Sequence, residues 1–132
     1  MIRGIDNVLI DVGDLAAARA HYGSLGLAER FALPEAGIVL YAIGDERPGL
    51  LVRGVPGKTA SSSPHGARVW LEVADARAFA RRCPLTPIAP PFEVRTGWVV
   101  EYADAWGNVV GVTDYSADPT KARPSTSGKP HS

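Results

Sequence analysis

Arg68, Trp70 and Glu72 stand two residues apart within the alternating stretch 67–73. Successive side chains of a strand point to opposite faces, so these three share one face. A guanidinium, an indole and a carboxylate together form a wall suited to a polar aromatic ligand. Glu72 beside an apolar ring is the candidate general base, because such a neighbour raises a carboxylate's pKa. Arg68 would then stabilise an enolate or oxyanion. Asn7, Leu9 and Asp11 repeat this placement on the stretch 4–12, and Trp98, Glu101 and Trp106 near the last hairpin complete the candidate ligand set. Asp11, Glu72 and Glu101 give the face an acidic character, with Arg68 as counterweight. The alternative is a solvated face whose charges pair across strands. Phe92 and Tyr41 read as packing residues.

The elements that must position these residues occur twice. An alternating strand with Val8, Ile10 and Val12 runs into Asp14 and an Ala-rich stretch; Val69, Leu71 and Val73 run into Asp75 and a second one. Each Asp is an N-cap, accepting from a backbone N–H of the first helical turn. The repeat predicts two modules, 1–56 and 65–116, within one domain over 1–116. The first comprises a strand near 4–12, a helix near 14–23, and strands near 27–33, 37–43 and 48–53. The second comprises a strand near 67–73, a helix near 75–83, and strands near 86–90, 97–103 and 108–114. Pro84, Pro87, Pro90 and Pro91 make the strand at 86–90 an interrupted edge. The linker 57–64 holds a Gly-Lys-Thr, but the second glycine of a phosphate loop is absent. Residues 117–132 are too rich in Pro, Ser, Thr and Lys to bury much apolar surface, and a disordered tail is expected.

Residues 101–113 read as two strands around a tight turn, with Asp104 and Asn108 hydrogen-bonding their own backbone and Gly107 at positive φ. This turn resembles the Asp-Pro-x-Gly-Asn turn of the vicinal oxygen chelate superfamily, with Ala105 at the proline position. That superfamily includes glyoxalases, extradiol dioxygenases and bleomycin-resistance proteins. His21 to Leu27 is similar to its Phe-Tyr-x-x-Leu-Gly-Leu helix end, so the likeness spans residues 4 to 115. It implies an α+β fold of two tandem βαβββ modules, forming a curved mixed sheet around a cup with helices on the outer face.

The resemblance also implies where a divalent ion would sit in the metal enzymes of the superfamily. Those positions fall on Asn7, the Leu51/Val52 region, Arg68 and Gly111. Leu, Val and Gly supply no side-chain ligand and Arg repels a cation, so neither metal nor cofactor is expected. His21 falls on the first helix, His65 just before the strand that carries Arg68 and His131 in the tail, away from those positions.

The 132 residues suffice for one domain with a core. With 14 basic and 14 acidic residues the formal charge is +0, and no basic cluster marks a nucleic-acid partner. Neither a membrane span nor a signal-peptide pattern is evident. Cys83 is the single cysteine, a small filler at a helix end, and a cytoplasmic location fits. The likeness to bleomycin-resistance proteins implies a homodimer, with an apolar flank near Leu50 and Val110. It favours stoichiometric capture of a planar ligand, an antibiotic among the candidates. The competing reading is a metal-independent lyase, isomerase or cyclase using Glu72. A domain serving only regulation or protein contact is the third.

Overall fold

The computed structural model describes residues 1–61 and 65–124. β1 (Val8–Val12) leads into α1 (Leu15–Ser24), and β2 (Glu29–Leu33), β3 (Ile38–Tyr41) and β4 (Leu50–Gly54) follow. The second module repeats the order with β5 (Arg68–Glu72), α2 (Ala76–Arg82), β6 (Phe92–Val94), β7 (Gly97–Ala103) and β8 (Val109–Thr113). Both helices start as the sequence dictates. Asp14 accepts from the Ala17 N–H at 3.1 Å and Asp75 from the Ala78 N–H at 2.9 Å.

Each module builds a four-stranded mixed sheet, ordered β1-β4-β3-β2 and β5-β8-β7-β6. The first and last strands of each module pair in parallel, and the other ladders are antiparallel. This is the expected α+β tandem arrangement. One strand was misplaced: the edge strand expected at 86–90 forms at Phe92–Val94 instead. Pro87 and Pro90 lack the N–H a ladder needs; Ile88 N–H donates to Glu101 O at 2.8 Å, but the regular ladder begins at Phe92.

One core unites the two modules. Ile10, Val12, Tyr22, Tyr41 and Val52 from the first pack with Val100, Tyr102, Trp106 and Val112 from the second. Val69 and Leu71 join its margin, as the alternation predicts. A polar lock crosses the boundary within it. Tyr22 Oη donates to Asp104 at 2.7 Å, and Asn108 Nδ2 donates to Asp104 at 2.7 Å and to the Asp11 carbonyl at 2.9 Å. Asp104 also accepts from the Trp106 and Asn108 N–H groups, closing the expected turn, where Gly107 has φ +86°. Leu50 and Val110, expected at an apolar flank, are buried in this core. Both side chains point to the core face of their strands, among Ile10, Val52, Val100 and Val112.

The tail expected from residue 117 is placed through residue 124. Ala117 N–H donates to Thr96 O at 3.0 Å, a 3₁₀ turn spans Pro119–Lys121, and Arg123 reaches both modules. Residues 125–132, with His131, lie outside the described residues, as do 62–64 of the linker.

Candidate functional site

The β5–β8–β7 register assembles the site. Trp70 pairs with Gly111, and Gly111 with Glu101, so the indole and the carboxylate flank a residue with no side chain. A Cβ at position 111 would sit 3.0 Å from both Trp70 Cδ1 and Glu101 Cγ. Glycine there lets the two side chains meet. Trp70 Nε1 donates to Glu101 at 2.8 Å, and Arg68 engages the same carboxylate through Nε at 2.9 Å and Nη2 at 3.0 Å. The Phe92 ring stands edge-on to Trp70, 6.4 Å between centroids. The Arg68 side chain is 61% exposed whereas that of Glu101 is 12%, so the anion lies beneath and the cation faces solvent. A charge-assisted fork of this kind fixes the guanidinium plane.

Arg68, Trp70 and Glu101 are therefore brought together, and Phe92, read as packing, joins them. The strand register puts it there: Phe92 pairs with Val99, which shares a face of β7 with Glu101, and the sequence alone carried no signal for that pairing. Two tryptophans do not join. Trp98 faces α2, with the Arg77 guanidinium 4.2 Å from its ring centroid, and packs against the core. Even-numbered positions of β7 face the helix, as the contact of Tyr102 with Phe79 also shows. Trp106 is buried between the modules, its indole edge against Gly13.

In the first module Leu9 is exposed, and Asp11 forks to Arg53 at 3.0 and 3.2 Å. Asn7 is used structurally, its Oδ1 accepting from the Gly49 N–H at 3.0 Å. Glu72 is held at both oxygens by Arg123, whose Nη1 donates at 2.6 Å and whose backbone N–H donates at 2.9 Å. The expected acidic character is absent from this face, because Asp11, Glu72 and Glu101 each carry an arginine. The expected rise in the Glu72 pKa is also corrected. Partial burial raises it, but the hydrogen bonds and charge of Arg123 outweigh that and leave it lowered. Arg53 and Arg123 were the residues missed. Arg53 is the register partner of Asp11, but Arg123 lies 51 positions from Glu72 and left no local signal.

The positions where the superfamily's resemblance would put metal ligands do not fit a cation. Asn7 is bound to Gly49, Leu51 and Val52 are apolar, Arg68 is a paired cation and Gly111 has no side chain. Among the described residues no three of His, Cys, Asp and Glu gather closely enough to hold a metal ion. No helix among them is long and apolar enough to cross a membrane.

Comparison of the folded chain with solved structures is decisive for the architecture. The antibiotic binding protein TnmS3 from Streptomyces sp. CB03234 superposes with TM-score 0.68 at 19% identity, over 87% of this chain and 98% of that one. This chain has the glyoxalase/bleomycin-binding fold. Lactoylglutathione lyase from Agrobacterium tumefaciens shares that fold, with TM-score 0.66 at 18% identity over 86% of this chain and 95% of the other. So does the bleomycin-binding protein from bleomycin-producing Streptomyces verticillus, solved with copper(II)-bleomycin, at 0.64 and 17% over 86% and 98%. No protein-family model matches the sequence, and no curated protein matches it. The glyoxalase/bleomycin-binding fold hosts both binders and enzymes, so function must be argued from the side chains.

Proposed function

We propose that this chain is a metal-free small-molecule-binding protein that captures a planar aromatic ligand on the Trp70 face. The observation that carries this reading is Glu101, which holds the Trp70 indole and the Arg68 guanidinium side by side in one fixed geometry. The indole offers a stacking surface and Phe92 a second ring at its edge. The exposed side of Arg68 selects a ligand bearing a polar or acidic group. Antibiotics belong to the ligand class, as the names of two proteins of like fold suggest by analogy.

Capture is preferred to catalysis because Glu72, the candidate base, is occupied at both oxygens and held in its charged form. A lyase or isomerase would need Arg123 to leave first. The ligand cup is completed by a homodimer. Leu9 and Trp70 are 48% and 41% exposed, and Phe31, Leu33 and Phe92 are comparably open. Apolar side chains gathered on sheet faces mark an interaction surface. A stable partner copy would bury more than about 1,000 Å² in total.

The test is tryptophan-fluorescence titration against a panel of planar natural-product antibiotics. The expected result is quenching that saturates at one ligand per chain, with the ligand recovered unchanged. Turnover of any ligand by the parent protein, abolished in Glu72→Gln with binding retained, would establish the enzyme instead.

A further inference from the structure

A cleft of about 170 Å³, open to solvent on one side, lies where the two modules meet, and Trp70 is not in its lining. Leu25, Leu27 and Ile43 line it from the first module, and Leu71 and Phe79 from the second. Glu72 is the one polar side chain in that lining among the described residues. The cleft has room for a short alkyl chain laid against its apolar walls. A lone carboxylate at the edge of an apolar cleft requires a cationic partner. The chain supplies one of its own. Arg123 covers both Glu72 oxygens and extends its guanidinium to Glu46 at 3.2 Å on the first module.

We propose that this cleft is a second binding site, for a small alkyl cation whose guanidinium or ammonium head takes the place of Arg123 at Glu72. The hydrocarbon chain, about five carbons long, fills the space between Leu25, Ile43, Leu71 and Phe79. The described segment that carries Arg123 is then a displaceable cap on the Glu72 carboxylate. Its chemistry shows what Glu72 accepts, a planar donor fork that satisfies a carboxylate in two places. Its exposure shows why it gives way. The Arg123 side chain is 63% exposed while that of Glu72 is only 14%, so the cap is held by a solvent-screened pair. An incoming alkyl cation keeps that pairing and adds apolar burial that the Arg123 side chain does not make. The cleft's lining includes neither Arg68 nor Trp70, so this site stands independently of the aromatic face.

Isothermal titration of the full chain with n-pentylguanidinium tests the proposal, with 1-pentanol and pentanoate as controls. One cation should bind per chain, and the uncharged and anionic analogues should bind at least tenfold more weakly. Arg123→Ala should tighten the cation about two- to fivefold, the competition that an exposed ion pair can mount. Glu72→Gln should weaken it at least tenfold, while Trp70→Ala and Arg68→Ala leave it unchanged. An Arg123→Ala protein that binds no tighter than the parent, or pentanol that binds as well as the cation, overturns the proposal. Absence of saturable heat in Arg123→Ala at millimolar ligand overturns it as well. The Arg123 side chain is 63% exposed and its replacement is expected to leave the core intact, checked by an unchanged urea melt, so this comparison decides even where Glu72→Gln fails to fold.

Discussion

Trp70 Nε1 donates to Glu101 at 2.8 Å directly over Gly111, the position at which β8 carries no side chain. The absence of a Cβ is what allows the contact. Gly111→Ala would place its methyl 3.0 Å from both partners, and the indole must tilt away. We expect the variant to fold, to shift the tryptophan emission maximum and to weaken planar ligands several-fold. Unchanged emission and unchanged affinity would show that the geometry at Glu101 does not matter for binding.

Trp70→Ala should weaken a stacked ligand by about 1–3 kcal/mol, mostly through lost apolar burial. Arg68→Ala should weaken acidic ligands selectively. The Arg68 guanidinium is largely solvent-exposed, so its ion pair contributes only about 0–1 kcal/mol to folding. Urea melts therefore separate the roles. If Trp70→Ala unfolds the protein and Arg68→Ala changes no ligand, the face is structural.

The module lock predicts a large cost for a small change. Tyr22→Phe removes one oxygen from a fully buried ring and leaves Asp104 one donor short. A buried hydrogen bond to a charged acceptor contributes about 1.5–3 kcal/mol. Urea unfolding should show a loss of that size with an unchanged m-value. A loss below about 0.5 kcal/mol would mean that the Tyr22–Asp104 bond does not hold the modules together.

His21 sets an acid limit on stability. Its Nε2 is buried without a hydrogen-bond partner, and burial holds its pKa below the usual 6.5 despite the opposing charge of Asp104. Between the lowered folded value and 6.5 the unfolded chain binds the proton that the folded chain refuses. Stability is thus complete above about pH 6.5 and falls as pH drops through that window. His21→Gln should flatten the dependence there. Asp114 acts lower, because the N–H groups of Ala76, Trp98 and Ser116 and the Ser116 hydroxyl overcome its burial and lower its pKa from 3.8. Its contribution is present above that value and is lost on further acidification.

Light scattering at micromolar protein should give a dimer, and Leu9→Glu should shift it toward monomer by placing charge in the apolar face. Leu9 is 48% exposed in the single chain, so the substitution leaves the core intact. A monomeric parent, or a Leu9→Glu variant that stays dimeric, would overturn the dimer.

Local rules determined much of this protein from the sequence alone. Alternation placed Val8, Ile10 and Val12 against the core, and the Asp14 and Asp75 caps started both helices. Asp104, Gly107 and Asn108 specified the last turn, because each acts on backbone within a few residues. Alternation also set Arg68 and Trp70 on one face. It did not say which strand would lie beside them. That pairing joins Glu101 to Arg68 across 33 positions and Arg123 to Glu72 across 51, and only the folded chain decides it. The same limit explains Trp106, a candidate ligand residue by sequence, whose indole the fold buries against Gly13 of the first module. Charge at the site was likewise a tertiary outcome. Three carboxylates in a sequence read as acidic, but each neutralising arginine arrives through strand register or the returning C-terminal segment.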